Sequence, residues 1–401
     1  MRKINLILLF IACWVSVFSE IKPKRVESIP FELVGSYVVI TLKINDSSPL
    51  NLILDSGVRN TIITEMQEGD HVSINYSDVK DLMGLGGGSH LEAFVSNYNT
   101  IKAGRIKMKN KTVYVLQNDI FNLSKHTGTK INGLIGADFF QDYSIEIDYV
   151  AKRLRFYEPV PFDNPKGYEV LPITIEQQKL FLELSVLNFD STRQKVKMLI
   201  DTGALLNAWF QSQTKASVPV PPLSVSGSIG EGLNGLITGK YARIPEICVG
   251  SFKLKQPIVS FPDSASIAGI LANSNRDGTI GSQLLSRFHL IVDYNNRKIY
   301  FKPNNRFDLK YSYNVAGIEI IQMSTLFAIP EVVSVWENSP ASKAGVKAGD
   351  QILEVNGIKS YQLTINEIRK IFETTSKTPL NLVLKHENEE YSVHIEMKDK
   401  F

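Results

Sequence analysis

Val196–Ala204 reads VKMLIDTGA, and this stretch decides the fold. An apolar segment runs directly into a carboxylate, Asp201, and a hydroxyl and a glycine follow at once. A carboxylate at the end of a buried strand is costly to ionise unless its surroundings stabilise the charge. Because such placements are often functional, the next question is which other residue acts together with Asp201.

The same pattern occurs once more, 146 residues earlier, where Leu52–Val58 reads LILDSGV around Asp55. Each aspartate is followed about 80 residues later by an Ile-Gly pair, Ile135–Gly136 in the first copy and Ile280–Gly281 in the second. A single Asp-Thr-Gly is also typical of ordinary turns. Two copies with matched surroundings favour catalysis, and a period of this length indicates two similar lobes.

The repeat predicts a mainly β protein of two lobes followed by a different module. Strand-like segments, Val38–Ile44 and Phe181–Phe189, each precede a polar turn and the strand that ends in aspartate. We place the first lobe at 20–165, the second at 166–305 and the C-terminal module at 306–401. In that module, Ser339–Pro340 predicts the start of one helix, Thr364 and Glu367 form a capping box for another, and Asn356–Gly357 predicts a turn. With the short apolar segments between them, these signals predict an α+β domain.

Composition excludes little except nucleic-acid binding. The chain has 401 residues and a net charge of +3, from 44 basic and 41 acidic side chains. That balance gives no reason to expect a nucleic-acid partner. The densest basic run, 102–111, alternates with apolar residues, so we interpret it as the solvated face of a strand rather than an anion-binding patch.

The N-terminus is typical of a targeting segment. Arg2 precedes an apolar run, Leu6–Phe18, that is too short to span a bilayer comfortably, and cleavage after Ser19 would remove a signal peptide at 1–19. We therefore expect export to the periplasm, the cell envelope or the extracellular space, with no membrane span. A loose lipobox at Cys13 leaves lipid anchoring open beside soluble export.

Two aspartates on equivalent strands would face each other across a pseudo-twofold axis. Two carboxylates about 3 Å apart share one proton, so one can activate a water while the other polarises a carbonyl. In this scheme Gly57 and Gly203 allow close approach, and the hydroxyls of Ser56 and Thr202 brace the two loops. Neither a metal nor another cofactor is expected.

Other chemistries have weaker support. The six histidines are scattered, without a metal-ligand pair on a helix. Gly230–Gly235 satisfies Gly-x-Gly-x-x-Gly, but a clear strand before it and a helix after it are missing, so a dinucleotide site is disfavoured. Its repeat partner is Gly84–Ser89, which favours a covering flap in each lobe. The flap candidates are Gly84, Gly86, Gly87, Gly230 and Gly232.

These motifs resemble those of a known family. Asp55-Ser-Gly and Asp201-Thr-Gly, with the later Ile-Gly pairs, resemble aspartic peptidases of the pepsin and retropepsin type, whose lobes are closed barrels. Ser339–Gly345, Gly349–Asp350 and Val355–Gly357 resemble a PDZ domain. The combination resembles the bacterial retropepsin-like aspartyl proteases with a C-terminal PDZ domain.

The resemblance implies an exported aspartic endopeptidase with Asp55 and Asp201 as the catalytic pair. Its substrates would be polypeptides, and its PDZ groove would bind peptide C-termini or a partner protein. The groove candidates are Ala316, Gly317, Ile318 and Ile368. Two alternatives stay open: a catalytically silent PDZ-containing binding or scaffold protein of the cell envelope, and a narrow processing peptidase.

One departure from the family concerns pH. Pepsin-like enzymes have a serine or threonine after Asp-Thr-Gly that bonds the charged carboxylate, whereas this chain has Val58 and Ala204. Losing those bonds raises the pKa values of the pair, so we predict a less acidic optimum than in pepsin-like enzymes. Arg59 would partly oppose this if it points inward; a solvated arginine is the alternative.

Overall fold

The computed structural model describes residues 23–82, 91–162, 165–211, 218–232, 235–271, 275–323 and 329–401. The predicted signal peptide with Cys13, and the flap candidates Gly84, Gly86 and Gly87, lie outside these described residues. The structure is mainly β, with 50% strand and 10% helix and with barrel-like sheets, which confirms the predicted fold class.

The first lobe is built almost entirely of strands. Alternating buried and exposed side chains along its third strand, Tyr37–Ile44, show a sheet with one face on the core. Its elements are β1 (Arg25–Pro30), β2 (Glu32–Val34), β3 (Tyr37–Ile44), β4 (Leu50–Leu54), β5 (Thr61–Ile63), β6 (Tyr76–Leu82), β7 (Leu91–Ala103), β8 (Ile106–Leu116), α1 (Leu123–Thr127), β9 (Gly133–Ile135), a short 3₁₀ helix (Ala137–Phe140), β10 (Ser144–Asp148) and β11 (Arg153–Tyr157).

The second lobe repeats this order. A helical turn again follows the strand that carries the Ile-Gly pair. Its elements are β12 (Glu169–Glu176), β13 (Lys179–Leu187), β14 (Arg193–Asp201), β15 (Ala208–Phe210), β16 (Ser224–Gly232), β17 (Gly235–Arg243), β18 (Glu246–Val249), β19 (Phe252–Lys255), β20 (Ile258–Pro262), α2 (Ser264–Leu271), β21 (Gly278–Gly281), α3 (Ser282–Leu285), β22 (Phe288–Asp293) and β23 (Lys298–Pro303).

The C-terminal module mixes strands and helices, as predicted. Ser339 caps the first of its helices with proline next in the chain, and Thr364 and Glu367 form the expected capping box of the second. Its elements are β24 (Ile318–Gln322), β25 (Pro330–Val335), α4 (Pro340–Ala344), β26 (Gln351–Val355), β27 (Ile358–Lys359), a 3₁₀ turn (Ser360–Gln362), α5 (Ile365–Phe372), β28 (Leu380–His386) and β29 (Glu389–Ile395).

Strand pairing shows the relation between the lobes. In the first lobe β4 pairs antiparallel with β3 and parallel with β9, and in the second lobe β14 pairs in the same way with β13 and β21. The lobes join where β10 pairs with β22, so that the strands run in the order β1-β11-β10-β22-β23-β12 between them. This shared sheet fixes the two lobes against each other.

In the basic run at 102–111, Arg105, Lys107 and Lys109 are exposed beside buried Ile106 and Met108, as predicted, but the run spans two strands. The segment is not one strand but a hairpin, in which β7 ends at Ala103 and β8 begins at Ile106. Lys111 is only 5% exposed, and its Nζ donates to Asp138 O at 2.8 Å and pairs with Asp142 Oδ2 at 3.0 Å. Alternation continues through a tight turn, so the sequence pattern did not show where one strand ended.

The two largest of four apolar clusters organise the described residues. The larger core runs through both lobes and the sheet that joins them. The smaller core belongs to the C-terminal module but includes Ile258 of the second lobe, and Tyr241 packs against it. The module is therefore docked on the second lobe through apolar contact. Among the described residues, none of the helices is long and apolar enough to cross a membrane.

Candidate active site

The two aspartates lie at equivalent places in the two lobes. Asp55 directly follows β4, and its amide donates to Ile135 O at 2.9 Å. Asp201 ends β14, opposite Gly281 in the parallel pairing with β21. The Ile-Gly segments therefore flank the aspartates on a neighbouring strand, which is the physical reason for the repeated spacing.

The hydroxyls that follow the aspartates interlock across the lobe boundary. Ser56 N donates to Thr202 Oγ1 at 3.0 Å, and Thr202 N donates to Ser56 Oγ at 3.1 Å. Ser56 Oγ in turn donates to Ile200 O at 2.7 Å, and Thr202 Oγ1 donates to Leu54 O at 2.6 Å. Both side chains are buried. These four hydrogen bonds fix the ends of β4 and β14 in position relative to each other.

The glycines of the two motifs give space to the opposite carboxyl group. A Cβ added to Gly57 would lie 2.6 Å from Asp201 Cγ, and one added to Gly203 would lie 2.5 Å from Asp55 Oδ2. Any side chain at either position would collide with the aspartate of the other lobe. Glycine at both positions therefore allows the two carboxyl groups to meet.

The hydrogen bonds to the two carboxyl groups differ. Asp55 Oδ1 accepts from Gly57 N at 2.8 Å and from Val58 N at 3.2 Å. Asp201 Oδ1 accepts from Gly203 N at 3.0 Å. The backbone amide of Val58 thus bonds Asp55 although its side chain cannot.

Burial and mutual repulsion control the protonation of the pair. Burial raises the pKa of Asp55 well above its usual range, and the charge of Asp201 raises it further. Burial also raises the pKa of Asp201, but the nearby cations Arg276 and Lys179 and a hydrogen bond with Asp55 oppose that rise. Asp55 therefore has the stronger rise in pKa, and the nearby cations favour the charge on Asp201.

A cleft of about 1220 Å³ contains the two aspartates and is lined by both lobes and by the C-terminal module. Gly230 and Gly232, the flap candidates within the described residues, line this cleft from the hairpin of β16 and β17. Arg59 is exposed at the cleft, where its Nη2 donates to Gln177 Oε1 at 3.1 Å. The solvated alternative for Arg59 therefore fits the structure better than an inward one.

Comparison with known proteins agrees with this geometry. An aspartyl protease family model matches residues 40–139, and a PDZ domain family model matches residues 331–385. The chain contains an aspartyl protease domain and a C-terminal PDZ domain. A solved aspartic proteinase from Irpex lacteus is 13% identical, with a TM-score of 0.43, over 71% of this chain and 98% of that one. A search of curated proteins gave no match.

The PDZ groove candidates lie together but are buried within the domain. Ala316, Gly317, Ile318 and Ile368 are all buried. Asn314 Oδ1 accepts from Gly317 N at 2.9 Å, and Ala316 N donates to Phe372 O at 3.1 Å. The amides of the loop before β24 are therefore already bonded to the domain's own oxygen atoms.

The space between β24 and α5 faces the protease domain. Arg369 of α5 donates from Nη2 to Ile320 O of β24 at 2.7 Å, and from Nη1 to His126 O of α1. Next to α1, a Cβ added to Gly128 would lie 2.9 Å from Ile365 Cγ2. The first lobe thus packs directly against the PDZ groove.

Sequence reasoning missed Arg276, Lys179, Arg369 and Asn314. None of them belongs to a repeated motif, and only the tertiary structure brings them to the cleft or to the groove. Among the described residues, no cluster of three or more histidine, cysteine, aspartate or glutamate side chains could hold a metal ion.

Proposed function

We propose that this protein is an exported aspartic endopeptidase that hydrolyses peptide bonds with a water activated by Asp55 and Asp201. One observation carries the proposal: the interlocked hydroxyls of Ser56 and Thr202 hold two carboxyl groups against each other inside a cleft. That arrangement makes the proton-sharing pair that acid–base hydrolysis needs.

The different pKa shifts of Asp55 and Asp201 suggest which aspartate is the acid and which is the base. Ionised Asp201 takes a proton from a water molecule bound between the carboxyl groups, and the resulting hydroxide attacks the peptide carbon. Protonated Asp55 donates to the carbonyl oxygen, giving a tetrahedral diol. Asp201 then passes its proton to the leaving nitrogen, the C–N bond breaks, and Asp55 recovers its proton from the diol. The cycle consumes one water molecule and leaves the pair as it began.

The PDZ domain supports a role in peptide or partner binding. The protease and PDZ domains together imply peptide or protein partners. Several PDZ residues line the same cleft as the aspartates, among them Trp336 and Arg369. A peptide in the cleft would therefore pass the PDZ domain, and we propose that this domain helps to select or position the substrate.

The test is cleavage of a peptide library by residues 20–401 between pH 3 and 8. Asp55→Asn and Asp201→Asn keep the side-chain volume but remove the shared proton chemistry, so each should lose about 10⁴-fold or more of the activity. Asp81→Asn is the matched control, since Asp81 is an exposed aspartate that lines the same cleft. Cleavage that survives either dyad substitution would exclude the mechanism, and no cleavage by the unaltered chain would favour the silent binding protein.

A further inference from the structure

Two cations lie on the second-lobe side of the cleft, beside the catalytic pair. Arg276 comes just before β21 and is only 6% exposed, and Lys179 begins β13 and is partly buried. Both line the cleft. Both lie close enough to Asp201 for their charges to favour its ionised form. They are therefore within reach of a peptide bound over the aspartates.

Neither cation has a carboxylate partner of its own in the described part of the chain. Within those residues Arg276 makes neither a hydrogen bond nor an ion pair, and its Nε is buried without a partner. Its guanidinium lies over the ring of Trp209, 5.4 Å from the centroid. Burial lowers the pKa of Arg276 to about 10, and the pKa of Lys179 is lowered by burial and by Arg276. Buried cations of this kind are costly unless an anion joins them.

The acids closest in sequence to Lys179 and Arg276 have other partners. Glu176 pairs with Lys197 at 2.5 Å, and Asp277 Oδ2 accepts from Lys197 N at 2.8 Å. The catalytic pair carries a single negative charge when it shares its proton. Buried Arg276 and partly buried Lys179 therefore both act on this single negative charge.

We propose that Arg276 and Lys179 bind a carboxylate of the peptide substrate, next to the scissile bond on the second-lobe side. This inference rests on the proposed peptidase function. Trp209, which also lines the cleft, lies against Arg276 and provides apolar contact for the methylene groups that carry the carboxylate. The carboxylate belongs to an aspartate or glutamate side chain or, if the protein cleaves at the chain end rather than as an endopeptidase, to the C-terminus of the peptide.

The test uses acetylated and amidated decapeptides that differ by glutamate or glutamine at one position at a time. At one position beside the cleaved bond, replacing glutamate with glutamine should lower kcat/KM by about 10- to 100-fold, as expected for losing a charge-assisted hydrogen bond. A second series compares free and amidated C-termini. A loss confined to the first series identifies a side-chain carboxylate, and a loss confined to the second identifies a terminal one.

Substitutions assign the preference to the two cations. Arg276→Met and Lys179→Met should each reduce the ratio of kcat/KM for the glutamate and glutamine peptides toward one. Lys80→Met is the matched control, because Lys80 is an exposed cation that lines the cleft from the first lobe. It should leave that ratio unchanged. Equal kcat/KM for acidic and neutral peptides in both series would overturn the proposal while leaving the peptidase function intact.

A binding measurement keeps the inference testable if cleavage fails. Fluorescently labelled glutamate and glutamine peptides are titrated into Asp55→Asn, which retains both cations. The proposed carboxylate site is supported if Asp55→Asn binds the glutamate peptide more tightly than the glutamine peptide. Adding Arg276→Met to that variant should abolish the difference. Equal affinity for the two peptides contradicts it, whatever the outcome of the cleavage assay.

Discussion

Asp55 and Asp201 lie in unequal surroundings although their motifs are nearly identical. Asp55 has the stronger rise in pKa, through burial and the neighbouring charge. Arg276 and Lys179 favour the ionised form of Asp201, and Lys179 also interacts with the charge of Asp55. In the proposed mechanism the proton-sharing pair needs one charged member, and Arg276 favours Asp201 as that member.

Arg276→Met is expected to move the acid limb of the pH–activity profile to higher pH. Arg276 lowers the pKa of Asp201, so its removal lets that pKa rise and the base is lost at a higher pH. A neutral glutamine peptide should be the substrate, so that substrate recognition does not enter the result. The profile of Lys80→Met is expected to match the unaltered protein, and an acid limb of Arg276→Met that stays in place would argue against the assignment.

Ala204→Ser is expected to shift the acid limb in the opposite direction. In pepsin-like enzymes a hydroxyl at this place bonds the charged carboxylate, and such a bond favours ionisation. The variant should therefore keep Asp201 ionised to lower pH. Ala204→Cys, similar in volume but a much weaker donor, serves as the comparison. Coincident profiles for the serine variant and the unaltered protein would remove the explanation offered for a less acidic optimum.

The sequence was sufficient for locating the two aspartates but not for describing their surroundings. A local motif, repeated at a fixed spacing, carries Asp55 and Asp201 because each needs a strand before it and a glycine after it. Arg276 and Lys179 belong to no such motif. They reach Asp201 through the packing of β21 and β13 around β14, and that packing is a tertiary property.

At the scale of elements, the junction of β4 and β14 depends on two buried hydroxyls. Thr202→Val keeps the shape of the side chain but leaves Ser56 N and Leu54 O without their partner. Each buried group left unpaired costs about 1–3 kcal/mol, so the variant should unfold at lower temperature and lose activity.

Thr202→Ser is the matched control for this element, because it keeps the hydroxyl and removes only a methyl group. Calorimetry and peptide cleavage should place it much closer to the unaltered protein than to Thr202→Val. If the two variants are equally stable and equally active, the hydrogen bonds of the Thr202 hydroxyl do not hold the two lobes in position.

The helices and turns begin where the sequence predicted them wherever a local capping or turn residue marks the boundary. The capping residues of α4 and α5 and the Asn356–Gly357 turn act over a few residues, and the structure places each where it was predicted. The turn between β7 and β8 was not predicted, because alternation of apolar and polar residues continues through it. A period of two does not reveal a reversal of direction.

At the scale of the whole molecule, the PDZ domain is part of the enzyme's architecture. Trp336 stacks on Tyr241 of the second lobe, with ring centroids 5.3 Å apart and an interplanar angle of 13°. A Cβ added to Gly227 would lie 2.6 Å from Trp336 Cε2, so β16 approaches the indole closely. Sequence could place the two domains but not this contact, because docking depends on surfaces that form only after each has folded.

Trp336→Ala should therefore loosen the docking of the PDZ domain. Trp336 is 5% exposed, and truncating a buried tryptophan costs about 3–5 kcal/mol. Thermal unfolding and limited proteolysis between the domains are the measurements. Tyr361→Ala is the control: this tyrosine of the same domain is 62% exposed, and its loss should change stability by about 0.5 kcal/mol or less. Equal effects of the two substitutions would mean that the stack does not secure the domain.

The central claim is that Asp55 and Asp201 act as one proton-sharing pair, and a profile of kcat/KM against pH tests it most directly. The account predicts a bell-shaped profile for the unaltered protein, with both limbs set by the coupled pair, and no cleavage by Asp201→Asn at any pH. A profile with a single limb, or cleavage by Asp201→Asn near the rate of the unaltered protein, would contradict it.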